Sequence, residues 1–146
     1  MQQSLPELQS LAGWGLADLA RWAAARQLRF GCERSVKFCQ SGFETRRVIL
    51  SFAIGDIGID ALAEVLAIAR MLKAPERHLQ SISRFFSGAA YVHFGLEYGG
   101  SIVIGKCYLE LPPPMTAARS SGRLQFLGFK WSINAASIAV VTRYRM

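Results

Sequence analysis

The sequence predicts an α+β fold: an antiparallel sheet of about six strands, formed as hairpins and packed on one face by two to four helices. Segments of strand character occur in adjacent pairs instead of alternating singly with helices. Apolar and polar residues alternate along those segments, as in antiparallel strands that bury one face. The chain has 146 residues, 51% of them hydrophobic. One α+β domain spanning 1–146 is therefore expected.

The first half of the chain is predicted to contain a helix, two strands and a second helix. Ser4 to Gln27 has the leucine spacing of a helix. The strands "RSVKFC" and "RRVILSFAI" follow, joined by a Ser-Gly turn. Asp60 to Lys73 is predicted to be helical, with Asp60 as its N-cap and one apolar side facing the core.

The second half is predicted to contain one helix and two hairpins. The helix begins near Pro75, buries Leu79 and Ile82, ends at Gly88 and leaves His78 in solvent. The hairpins are "YVHFGLEYGG" with "SIVIGKCYLEL", and "RLQFLGFKW" with "ASIAVVTRYR". Because the last predicted strand runs to the end of the sequence, a fragment or a partial barrel completed by a second copy is an alternative expectation.

Composition narrows the function classes. No apolar run reaches the roughly 18 residues of a membrane span, so none is expected. The three cysteines form no metal-ligand spacing, and no nucleotide-binding motif follows a strand. We therefore expect neither a metal nor a cofactor. An odd cysteine count without a secretory signal pattern predicts a cytoplasmic protein.

The positive charge is concentrated near the end of the chain. The formal net charge is +7, and after Glu110 five arginines and lysines occur without any acidic residue. Arginine guanidinium groups bind planar oxyanions well. This asymmetry predicts an anionic partner.

Alternation divides the central hairpin into two faces. With Gly99 and Gly100 as a two-residue loop, His93 would face Lys106 and Tyr91 would face Tyr108. The polar face would then carry Tyr91, His93, Gly95, Glu97, Ile102, Ile104, Lys106 and Tyr108. The opposite face, with Phe94 and Leu96, would receive the helices.

The last hairpin adds cations to the same polar face. Leu127, Phe129 and Trp131 predict an apolar side, which places Lys130, Arg143 and Arg145 opposite them. The prediction is that Lys106 and these three cations bind an anionic, phosphorylated small molecule. Tyr108 would donate a hydrogen bond, and Glu97 or His93 would act as general base.

Three alternatives stay open. An RNA- or DNA-binding domain could use the basic sheet face and its tyrosines. A protein-interaction domain, including a homo-oligomer, could use the same face or a strand edge. The simplest alternative is an ordinary sheet with one solvated face.

The central hairpin also resembles a hairpin of the aromatic prenyltransferases of the ABBA barrel class. The resemblance rests on "FGLEYGG" and "IVIGKCYLELP", within residues 91–114. Lys106 and Tyr108 match the Lys-x-Tyr pair of that class, and Glu97 matches the acid of the preceding strand. The resemblance implies that Lys106 and Tyr108 hold a prenyl diphosphate in a transferase.

Overall fold

Six strands form an antiparallel sheet in the computed structural model, which describes residues 16–38, 40, 42, 44–99, 102–112, 124–133 and 140–145. Each strand pairs with its neighbours in the chain, so the spatial order is β1-β2-β3-β4-β5-β6. The predicted α+β class with hairpin-ordered strands is confirmed. The strands are β1 (Gly31–Phe38), β2 (Glu44–Ala53), β3 (Tyr91–Gly99), β4 (Ile102–Glu110), β5 (Leu124–Ser132) and β6 (Val140–Arg145).

Three helices lie close to their predicted positions, whereas the short helix Ile54–Ile57 was not predicted and begins at the last residue of the predicted strand "RRVILSFAI". They are α1 (Ala17–Ala25), α2 (Ile54–Ile57), α3 (Ala61–Met71) and α4 (Glu76–Phe85), and a 3₁₀ turn (Phe86–Gly88) follows α4. The early part of the first predicted helix, with Ser4, lies outside the described residues. Asp60 precedes α3 as predicted, but its side chain makes no capping hydrogen bond.

The helices pack on one face of the sheet. Their buried side chains include Leu19 of α1, Val65 and Ile68 of α3, and Leu79 and Ile82 of α4. Burying each such side chain contributes about 1.5–3 kcal/mol. Because the buried apolar residues alternate along β2, β3, β4 and β5, the predicted apolar face is confirmed. The buried sheet side chains are Val48, Leu50, Phe52, Val92, Phe94, Leu96, Cys107, Leu109, Leu127, Phe129 and Trp131.

A polar contact joins the first helix to the third. Nε1 of Trp22 donates to Oε2 of Glu64 at 2.7 Å, and Arg26 donates to Oε1 of Glu64 at 2.9 Å. The bond from Trp22, assisted by Arg26, holds the pKa of the Glu64 carboxyl below its usual value. The hydrogen bond from Trp22 therefore orients α1 against α3.

The register of the central hairpin differs from the prediction by two residues. Gly99 pairs with Ile102, and His93 pairs with Tyr108 instead of Lys106. Lys106 pairs with Gly95. A shift of two residues leaves every side chain on its predicted face, because side chains alternate with a period of two. The face assignment is therefore confirmed, whereas the predicted cross-strand neighbours are wrong. Gly100 lies outside the described residues.

Trp131 ties the sheet to the helical layer. Its indole is fully buried over Gly105, its cross-strand neighbour. Its Nε1 donates to the backbone oxygen of Leu72 at 2.7 Å, directly after α3.

The predicted solvent position of His78 is wrong: this side chain is 2% exposed and lies 3.1 Å from the backbone oxygen of Lys130. Apolar burial lowers the pKa of His78, which favours the neutral ring.

Candidate functional site

The sheet face opposite the helices carries the polar side chains; we call it the open face. Strand pairing places residues from five strands on it. Their polar groups separate into a charged chain near Lys106 and a second cluster around His93. The open-face residues used below are Glu33, Lys37, Arg47, Ile49, Ser51, His93, Gly95, Glu97, Lys106, Tyr108, Glu110, Phe126 and Lys130.

Lys106 is buried although no described helix covers its side of the sheet. The residue is 3% exposed, and its ammonium group forms a close ion pair with Glu97. A side chain on the neighbouring Gly95 would lie 3.6 Å from Cβ of Lys106 and only 3.1 Å from Val48 O and Ile49 Cγ1. Because residue 95 is glycine, the space beside it is open to the aliphatic part of the Lys106 side chain.

Electrostatic attraction stabilises the ion pair between Lys106 and Glu97. Burial lowers the pKa of Lys106, and Glu97 partly offsets that effect. Burial alone would raise the pKa of Glu97, but Lys106, Arg47 and Lys130 outweigh it and hold the pKa below its ordinary value. The ion pair therefore favours the carboxylate form of Glu97 and the ammonium form of Lys106. Lys106 already has Glu97 as its counter-charge, so it does not need an anionic ligand to balance it.

Arg47 extends the charged chain toward the edge strand. Its Nε donates to Oγ of Ser35 at 2.9 Å, and its Nη2 lies 3.3 Å from Oε1 of Glu33. At the other end, Lys130 pairs across the sheet with Lys106. Charges of alternating sign therefore run across the strands from Glu33 to Lys106.

His93 belongs to the second polar cluster. Its Nδ1 lies 2.7 Å from Oγ of Ser51, and its Nε2 lies 2.8 Å from Oε2 of Glu110. The ring also lies beside Phe126, with the ring centroids 6.1 Å apart. Glu97, the other predicted general base, bonds Lys106 instead. The structure therefore separates the two predicted base residues and gives His93 the carboxylate of Glu110 as its partner.

A groove of about 570 Å³ opens above the His93 cluster. Among its lining residues, Glu33 comes from β1, Ile49 from β2, Tyr108 from β4, and Gln125 and Phe126 from β5. Small-molecule sites have volumes of about 300–1,000 Å³. The groove is therefore large enough for a small organic ligand. Its lining residues are Glu33, Ile49, Ser51, His93, Tyr108, Glu110, Gln125 and Phe126.

Arg143 does not join this site as predicted. Arg143 pairs with Leu127, whose side chain is buried beneath the helices, so Arg143 lies on the helical side of the sheet. It is exposed there because β6 is the edge strand. Arg145 pairs with Leu124 next to a register shift, and its side chain lies outside the described ones. Of the predicted cations, Lys106 and Lys130 remain on the open face.

Sequence reasoning missed Ser51, Glu110 and Phe126. Ser51 is a single polar residue in the apolar strand "VILSFAI", in phase with Arg47, and that isolated polarity was a usable signal. Glu110 could be connected with His93 only through the correct register, in which Glu110 pairs with Tyr91. Phe126 carried no polar signal.

The described residues contain no membrane-spanning helix and no metal-binding cluster, and the chain matches no known protein. Among the helices that the structure describes, none is long and apolar enough to cross a bilayer. Within the same residues, no group of three or more histidine, cysteine and acidic side chains is arranged to hold a metal ion. No protein-family model, curated protein or solved structure matches the chain.

Proposed function

We propose that this protein binds a small organic molecule in the groove on the open face. The observation that carries the proposal is the groove itself, a concave surface of about 570 Å³. It combines apolar side chains, Ile49 and Phe126, with the hydrogen-bonding groups of Ser51, His93 and Glu110. Ligand sites characteristically combine an apolar lining with a few converging polar groups.

The charges along the groove favour a neutral or cationic ligand. Two carboxylates, Glu33 and Glu110, line it, and the nearest buried cation, Lys106, is already paired with Glu97. A ligand that offers N–H or O–H donors to Glu110 would be stabilised, because hydrogen bonds to charged acceptors are about twice as strong as neutral ones. Phe126 and Tyr108 would contact its apolar part.

An anionic ligand is the second candidate, and Lys130 favours it. This half-buried lysine adjoins Lys106 across the strands, and its ammonium forms no ion pair with the described residues. A phosphate or carboxylate bound there would balance the charge of Lys130, while Glu97 continues to balance that of Lys106. A prenyl diphosphate, as the resemblance implies, would additionally require Lys106 to exchange Glu97 for the ligand.

Nucleic acid is less favoured, because positive and negative charges on the open face nearly balance. Among the residues of this face that the structure describes, four cations, Lys37, Arg47, Lys106 and Lys130, accompany three carboxylates, Glu33, Glu97 and Glu110. Backbone phosphates are bound by an excess of lysine and arginine. Protein–protein interaction through this face has no comparable observation to support it.

Three fluorescent dyes of different charge test the proposal: cationic thioflavin T, neutral Nile red and anionic 1-anilinonaphthalene-8-sulfonate. We expect saturable binding of the neutral or cationic dye and about tenfold weaker binding in Phe126→Ala, since tenfold corresponds to about 1.4 kcal/mol of lost contact. Glu110→Gln should weaken the cationic dye more than the neutral one. Tighter binding of the anionic dye, lost in Lys130→Gln, would instead support the second candidate.

The matched control is Phe85→Ala, which removes a half-exposed phenylalanine of α4 outside the groove. Thermal melts establish that each variant is folded. Amide chemical-shift changes on dye addition should concentrate at Ser51, His93 and Tyr108. Shifts confined to the helical layer, or equal losses in Phe126→Ala and Phe85→Ala, contradict the proposal.

A further inference from the structure

Three polar side chains on adjacent strands form a hydrogen-bonded chain along the groove. Ser51 of β2 and His93 of β3 are direct cross-strand neighbours, and Glu110 of β4 reaches His93 diagonally. The two links measure 2.7 Å and 2.8 Å. The positions come from three rigid strands rather than from loops, which fixes the order serine, imidazole, carboxylate.

The direction of the two hydrogen bonds follows from the chemistry of the groups. An ionised carboxylate can only accept, so Glu110 takes the Nε2–H of His93. The neutral ring then has a bare Nδ1, which accepts the hydroxyl proton of Ser51. Ser51 is therefore bonded to a base that is oriented by a third group, which is the arrangement that activates a serine nucleophile.

All three groups line the same groove. The imidazole and carboxylate side chains are 17% and 28% exposed, so they are partly desolvated and still reachable. On one side, the neighbour of Ser51 is Gly31, which has no side chain to cover the hydroxyl. Tyr108 and Gln125 line the groove as well and carry O–H and N–H donors of the kind that stabilise a developing oxyanion.

We propose that Ser51 is a nucleophile that accepts an acyl group from a small uncharged ester, with His93 as general base and Glu110 as the residue that positions it. The proposal deepens the proposed function, on which it rests for substrate binding. Ser51 Oγ forms a bond to the carbonyl carbon while its proton passes to Nδ1 of His93. Collapse of the tetrahedral intermediate breaks the carbon–oxygen bond of the ester, and the departing alkoxide takes that proton.

Water completes the cycle. His93 removes a proton from a water molecule, which attacks the acyl-Ser51 ester and releases a carboxylic acid, and the proton returns to Oγ of Ser51. Every step transfers protons and an acyl group without an oxidant or reductant. Phe126 and Ile49 border the space beside Ser51 and favour an apolar acyl chain.

A biotin-linked fluorophosphonate tests the nucleophile in the full chain. Intact-mass analysis and peptide mapping should find one adduct, on Ser51, and none in Ser51→Ala. Hydrolysis of p-nitrophenyl butyrate should fall by about 100-fold or more in Ser51→Ala and His93→Gln, as for loss of a serine nucleophile or its general base. Ser81→Ala, on α4, is the matched control and should retain the rate.

Glu110 needs a readout that a purely structural role would not change. Glu110→Gln should slow adduct formation, and Glu110→Asp should restore part of the rate, in proteins with equal thermal stability. Dye binding separates the two proposals. A folded protein that binds the groove dye but gains no adduct on Ser51 overturns the nucleophile alone. An adduct on Ser51 without dye binding supports the nucleophile and contradicts the non-covalent site.

Discussion

Replacement of Gly105 by alanine tests how tightly the sheet is locked to the helices. The backbone of Gly105 does not have the positive φ that would itself require glycine. A Cβ there would lie 2.5 Å from Cε2 and 2.8 Å from Cζ2 of Trp131. Carbon atoms normally approach to about 3.5–4.0 Å. The indole would therefore have to move by about 1 Å, which disrupts its 2.7 Å hydrogen bond to Leu72.

The size of the effect follows from these contacts. Overpacking a filled core costs about 1–3 kcal/mol, and loss of the hydrogen bond from Trp131 adds about 1 kcal/mol. Alanine offsets about 0.5–1 kcal/mol of this loss in stability, because it restricts the unfolded chain more than glycine does. We expect Gly105→Ala to lower the free energy of unfolding by about 1–3.5 kcal/mol, with a middle value near 2 kcal/mol. That is a large share of the roughly 5–15 kcal/mol of an ordinary domain.

Urea denaturation followed by far-ultraviolet circular dichroism measures this change. With a slope of about 2 kcal/mol per molar urea, a loss of about 2 kcal/mol should lower the midpoint by about 1 M. Gly31→Ala is the matched control, because its Cβ would lie an ordinary 3.5 Å from Cβ of Ser51. Trp131→Phe should partly rescue Gly105→Ala, so that the double variant loses less than the sum of the single changes. Equal midpoints for Gly105→Ala and Gly31→Ala would refute the reasoning.

Three further predictions concern other buried groups. Burial lowers the pKa of His78 below its ordinary 6.5, so the unfolded chain binds the proton first and the free energy of unfolding falls as the pH drops below about 6.5. Urea melts of His78→Gln at pH 7.5, 6.5 and 5.5 should show a smaller fall than the unmodified protein. Glu97→Gln leaves Lys106 buried without its counter-charge, which should cost about 3 kcal/mol at pH 7, and Glu97→Gln with Lys106→Met should recover most of it in the same melts. Iodoacetamide should modify exposed Cys32 in the native protein and spare Cys107, whose thiol pKa is raised by burial; equal modification of both in peptide maps would contradict the described core.

The position of each side chain relative to the sheet was largely predictable. Val92, Phe94 and Leu96 alternate with polar residues, and the structure buries them beneath the helices. The predicted phase was correct although the predicted register was off by two residues, because a shift of two preserves the face. The side of the sheet on which Arg143 lies was not predictable. It depends on pairing with Leu127, which no local pattern around "TRYR" indicated.

The sequence by itself determined the order of helices and strands and which sides of the central strands avoid water, because both are local properties of propensity and alternation. Only the tertiary structure decided which polar groups meet. It paired Lys106 with Glu97, and His93 with Ser51 and Glu110. Those contacts join residues up to 42 positions apart. They depend on the register between strands, which is set by the packing of the whole sheet and not by any one segment.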